Sequence, residues 1–152
     1  MNKDYQINLL SNEFYNNYPS RLYPEMELKQ SRPFLVLIVK IDGYTFAIPF
    51  RTNVRHNYCY KFKKTGRETA TNTALDFTKT VIINDLKYIG VTATIDHNEY
   101  IELSSKSFFI IKKFKSFIEK YKRVMADPNK YQYDYNLFSN YCTLKYFSDF
   151  LK

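Results

Sequence analysis

Tryptophan is absent from the 152 residues, glycine occurs three times and cysteine twice. Three glycines cannot build a glycine-rich phosphate loop, which excludes nucleotide-binding folds of that kind. Cys59 and Cys142 lie far apart, and no Cys-x-x-Cys or His-Glu-x-x-His pattern occurs. A disulfide and a zinc site are therefore not expected, and both cysteines read as small buried hydrophobes. Acidic residues such as Asp76, Asp85 and Asp96 are scattered and form no metal-nuclease motif, so no metal and no cofactor are expected. No uncharged apolar run approaches the roughly 18 residues of a membrane span. The longest, 34–39, has the length of a strand. Residues 1–10 are polar and lack the apolar stretch of a secretory signal, so a soluble, cytoplasmic protein without membrane partners is expected.

What is present is an ordinary globular composition, 45% hydrophobic and 25% charged, of a length that suits one domain spanning 1–152. Lys and Arg outnumber Asp and Glu by 23 to 15, a net charge of +8, which favours a polyanionic partner. Aromatics reach 18%, 15 Tyr and 13 Phe. An A/T-rich genome enriches Lys, Asn, Tyr, Phe and Ile together and accounts for the aromatics equally well.

The hydrophobic pattern predicts an α+β fold, a twisted antiparallel sheet or partial barrel surrounded by helices. A first strand is expected at 5–10 and a polar helix or turn at 11–17, and Pro19, Pro24 and Pro33 bracket an irregular segment. Residues 34–41 are apolar and β-branched, Asp42-Gly43 is a strong hairpin signal, and 44–50 form the returning arm. The nearly continuous apolar first arm predicts a central strand covered on both faces. Strand-like alternation resumes at 58–63, followed by a loop over 64–71. Further strands are expected at 74–84, 88–94 and 99–103. Beyond Ser105, Ile110, Phe114, Phe117, Ile118, Tyr121 and Val124 recur at helical spacing, with Ser104 or Ser105 as cap and Asp127-Pro128 as stop. Residues 141–151 predict a last helix with Leu144, Phe147, Phe150 and Leu151 inward.

Two basic surfaces suit phosphate contact. The long helix carries Lys112, Lys113, Lys115, Lys120, Lys122 and Arg123 off its apolar stripe, with Glu119 as the one acidic residue on that face. A solvated helix face explains such a run equally well. Lys61, Lys63, Lys64 and Arg67 surround a loop, and the interleaved Tyr60 and Phe62 suit single-stranded or folded RNA through phosphate contact and stacking. Any half-buried strand alternates in the same way.

Between the hairpin and the next strand, Arg51-Thr52-Asn53-Val54-Arg55-His56-Asn57 collects two arginines, a hydroxyl, two amides and one of two histidines. Metal-independent RNA cleavage needs few parts: a group to orient the 2′-OH, donors for the non-bridging oxygens, and a proton for the leaving 5′-oxygen. Arg51 and Arg55 suit phosphate. Thr52 and Asn53 can donate to an oxygen or position the 2′-OH, and His56 is the residue there able to exchange a proton near neutrality. Asn57 adds a further polar contact. A loop histidine without context is more often a surface or capping residue; His97, in Asp96-His97-Asn98, is read as structural.

The stretch Arg32-Pro33-Phe34-Leu35-Val36-Leu37-Ile38-Val39-Lys40-Ile41-Asp42-Gly43-Tyr44-Thr45-Phe46-Ala47-Ile48-Pro49-Phe50-Arg51-Thr52-Asn53 resembles the type III toxin–antitoxin endoribonucleases, the ToxN/AbiQ/CptN family. Tyr141-Cys142-Thr143-Leu144-Lys145-Tyr146-Phe147-Ser148-Asp149-Phe150 resembles that family's C-terminal helix, and Arg-Thr-Asn-x-Arg-His looks closest to the CptN branch. The resemblance implies a metal-independent ribonuclease on a sheet similar to MazF-like toxins, cleaving A-rich cellular or phage RNA to a 2′,3′-cyclic phosphate. It also implies inhibition by its own processed repeat RNA, a folded pseudoknot antitoxin, in a closed protein–RNA assembly. By position, the family's hydroxyls fall on Thr52 and, by departure, Asn53. Its lysines fall on Arg55 and Arg32. Arginine stays protonated, which leaves proton transfer to His56 or to the substrate's surroundings. Two other readings of the residues stay open: a non-catalytic RNA- or DNA-binding module, and a basic face meeting an acidic protein.

Overall fold

The computed structural model describes residues 5–26, 34–66 and 73–151. Its strands are β1 (Tyr5–Leu10), β2 (Leu35–Ile41), β3 (Tyr44–Arg51), β4 (Cys59–Lys61), β5 (Ala74–Asp76), β6 (Val81–Ile82) and β7 (Ile89–Thr92). Three α-helices accompany them: α1 (Asn12–Asn17), α2 (His97–Ala126) and α3 (Gln132–Tyr141). The seven strands form one antiparallel sheet in the order β4-β5-β3-β2-β1-β7, with β6 on β3. Among the described residues the sheet does not close, because β4 and β7 end it, and the expected α+β antiparallel sheet with helices is present.

The hairpin of β2 and β3 is the spine. Asp42 and Gly43 both take positive φ, 52° and 85°, the conformation a two-residue turn needs to match strand twist. Pairing then runs from Ile41↔Tyr44 to Val36↔Pro49. Val36, Leu37, Ile38 and Val39 are all buried, as a strand covered on both faces requires. On its other side β3 pairs with β6 at Phe46 and Ala47 and with β5 at Phe50 and Arg51. Pro49, which has no N–H, falls in the unpaired gap between them.

Helix α2 lays its apolar stripe on this sheet. Ile110, Phe114, Phe117, Ile118, Tyr121 and Val124 are buried, with Phe114 in edge contact with Phe46 and Phe77. Each such side chain contributes about 1.5–3 kcal/mol of burial. Cys59 and Cys142 are buried free thiols, and burial pushes the Cys142 thiol up to about 12. None of the described helices is long and apolar enough to cross a membrane.

Three sequence expectations are corrected. The strand expected over 74–84 is broken in two, because the Asp76 side chain accepts from the Thr78 backbone N–H and hydroxyl and turns 77–79 into a 3-10 helix. The strand expected at 99–103 is the first part of α2. Asp96, not Ser104 or Ser105, caps that helix by accepting from Glu99 N–H at 3.1 Å, and Ser105 donates to the Glu102 carbonyl inside it. The α-helix expected over 141–151 does not form, and α3, which the sequence reading did not place, lies before it. α3 stops at Tyr141, Cys142 is extended, and the Thr143 hydroxyl donates to the Thr78 and Thr80 carbonyls, leaving only a 3-10 turn over Thr143–Phe147. Leu144 and Phe147 are buried as expected, whereas Phe150 is 43% exposed.

Candidate active-site loop

The loop 52–57 leaves the end of β3, and its two ends are tied to one carboxylate. Arg51 faces Ala74 across the β3–β5 pair, and Asp76 is the next residue on that face. Arg51 Nη1 donates to Asp76 Oδ2 at 3.1 Å. From the other end of the loop, His56 Nε2 lies 3.1 Å from Asp76 Oδ1. The Thr78 hydroxyl also donates to Oδ1, at 2.7 Å, and sits 3.4 Å from His56 Nε2. Asp76 is 2% exposed. Burial by itself raises its carboxyl, but the hydrogen bonds from His56 and Thr78 and the charge of Arg51 outweigh that and hold it below the ordinary carboxylate value.

The histidine's second nitrogen is engaged too. The Tyr58 backbone N–H donates to His56 Nδ1 at 3.1 Å. A backbone N–H can only donate, so Nδ1 accepts and Nε2 carries the proton toward Asp76. Proton exchange by this ring with a substrate requires one of the two bonds to open.

Within the loop the side chains part by polarity. Val54 turns inward against Cys59 and Ala74, while Thr52, Asn53 and Arg55 stand in solvent. Asn53 has φ 59°, a left-handed conformation that Asn tolerates better than most residues. Among the described residues no carboxylate pairs with Arg55. Beyond the loop, Tyr58 fastens the segment to the helices: its hydroxyl donates to Asp134 Oδ1 at 2.6 Å, and its ring packs on Phe117 and Phe138. Lys120 completes this anchor, 3.7 Å from Asp134 and over the Tyr58 ring. It is thus a brace and not a free cation.

A groove of about 290 Å³ opens beside the loop, lined by Asn57, Cys59, Tyr60, Lys61, Phe109 and Lys113. Three residues singled out for RNA contact, Asn57, Lys61 and Lys113, therefore share one concavity. Lys63 and Lys64 are exposed after β4, and the Lys63 backbone is held by Glu102. Lys112 and Lys115 are exposed on α2. Arg32 and Arg67 lie outside the described residues. His97, read as structural, is the first residue of α2 and exposed.

Sequence reasoning missed Asp76, Thr78, Tyr58 and Phe109. Asp76 carried a legible signal, a lone carboxylate between the apolar Leu75 and Phe77, which must find partners to be buried. Among the described residues no three His, Cys, Asp or Glu side chains gather as a metal-ligand set. No protein-family model, curated protein or solved structure matches this chain.

Proposed function

We propose that the chain is a metal-independent endoribonuclease toxin of the type III toxin–antitoxin kind, its open sheet serving as a MazF-like core. One observation carries the reading: a buried carboxylate clamps both ends of a loop that presents Thr52, Asn53 and Arg55 outward. In the proposed reaction the substrate's 2′-oxygen attacks phosphorus, the bond to the 5′-oxygen breaks, and the products are a 2′,3′-cyclic phosphate and a 5′-hydroxyl. Thr52 and Asn53 align the 2′-OH, and Arg55 with Arg32 holds the non-bridging oxygens as charge builds. Arg51, turned to Asp76, is a positioning residue. His56 has the same role while Asp76 and Tyr58 occupy its ring, so solvent water takes the 2′-OH proton and returns one to the departing 5′-oxygen. Lys61, Lys63, Lys64, Arg67, Lys112, Lys113 and Lys115 attract substrate RNA and the antitoxin RNA that inhibits the enzyme.

A second reading, binding without cleavage, is favoured by that same engagement of His56. Incubating the protein with labelled RNA in EDTA separates the two. Cleavage by the wild type, lost by about 100- to 1,000-fold in Thr52→Ala and Arg55→Ala, supports the toxin. Intact RNA with a retarded band supports the binder.

A further inference from the structure

Phe109 is 55% exposed, yet its ring has a fixed neighbour. It meets Tyr60 edge to face, centroids 6.3 Å apart at 71°. Tyr60 in turn is held on both sides, its hydroxyl donating to Glu102 and its ring packed on Phe62. The adjacent Phe108 is 83% exposed and lines no such groove, and a lone apolar side chain in solvent needs no special account. What sets Phe109 apart is its company: Lys61 from β4 and Lys113 from the next turn of α2 border the same cavity, with the Asn57 amide at its loop end.

The geometry points to a subsite for one nucleotide of single-stranded RNA, with the base stacked on Phe109 and the flanking phosphates on Lys61 and Lys113. Asn57 hydrogen-bonds an edge of that base. The cavity is at the small end of ligand pockets, which suits a single unit of a chain and not a folded ligand. An acidic peptide would satisfy the lysines but leave the ring face unused, whereas alternating phosphate and base use both. Asn57 belongs to the loop as well as the groove, and the His56 carbonyl accepts from Cys59 Sγ at 3.3 Å beneath it. A strand lying along the loop therefore continues into this cavity. The subsite rests on the RNA reading but not on cleavage.

The test is equilibrium binding of a short single-stranded RNA carrying 2-aminopurine, with 2′-O-methyl riboses so that it cannot be cut. Wild-type protein should bind it and quench the fluorophore. Phe109→Ala should weaken binding by roughly 5- to 150-fold and abolish the quench. Phe108→Ala should stay within about twofold of wild type. Lys113→Ala should weaken binding and flatten its salt dependence by about 0.7 in log–log slope. Both aromatic positions are exposed, so circular dichroism should show each variant folded. Wild-type affinity and quench in Phe109→Ala would overturn the subsite while leaving the RNA reading intact. No binding by the wild-type protein would overturn the RNA reading itself.

Discussion

His56 Nε2 lies 3.1 Å from Asp76 Oδ1, across a break in what reads as a continuous strand. The carboxylate that breaks the strand is the one that gathers the histidine, Arg51 and Thr78. Burial makes this arrangement obligatory: an ionised carboxylate withdrawn from water must be met by donors. The loop is thereby ordered from behind, while Thr52, Asn53 and Arg55 stay on its exposed side.

Replacing Asp76 by alanine should cost about 3 kcal/mol, near the low end for a broken buried pair because Arg51 and His56 still reach water. Chemical denaturation of the two proteins measures it. Arg51→Ala should cost less, since Asp76 keeps Thr78 and His56.

The contribution of Asp76 has a defined pH direction. Its folded carboxyl lies below the ordinary value, so the folded state binds that proton less readily than the unfolded chain. The stabilisation is complete above about pH 4, the unfolded value, and is lost as pH falls through the folded one. Urea titrations at pH 7, 4 and 3 should show the gap between wild type and Asp76→Asn closing on the acid side. A gap constant across that range would contradict the assignment.

The spine of the fold was readable because local and long-range signals agreed there. The apolar arm, the Asp42-Gly43 turn and the 3.6-residue stripe of α2 each followed directly from their own residues. The reading failed where a polar side chain overrode periodicity. Asp76 diverted one strand through its bond to Thr78, Asp96 started α2 a full strand's length early, and Thr143 ended the C-terminal helix by bonding the Thr78 and Thr80 carbonyls. The loop Arg51 to Asn57 was legible as a cluster of polar groups, but which of them face inward was not. That depends on Asp76, which lies some twenty residues on in sequence and enters the site through the pairing of β5 with both β3 and β4.

His56→Gln distinguishes holding the loop from carrying a proton. Glutamine can donate to Asp76 and accept from Tyr58, so the positioning role predicts cleavage within about tenfold of wild type. A loss of about 100- to 10,000-fold, with an unchanged melting temperature, would make His56 the proton carrier.

Gly90→Ala tests the edge of the sheet. A Cβ at this position would stand 2.7 Å from the Leu9 carbonyl oxygen, a backbone atom that no side-chain rotation can move. The β1–β7 pair should be forced apart at a cost of about 1–3 kcal/mol, read as a lower midpoint in thermal unfolding.

The most direct measurement is the chemistry of the ends left on RNA by the purified protein in EDTA, read by mass spectrometry. The proposed chemistry requires 2′,3′-cyclic phosphate and 5′-hydroxyl ends from the wild type and uncut RNA from Thr52→Ala and Arg55→Ala. RNA left whole by the wild type, or ends bearing a 5′-phosphate, would contradict it.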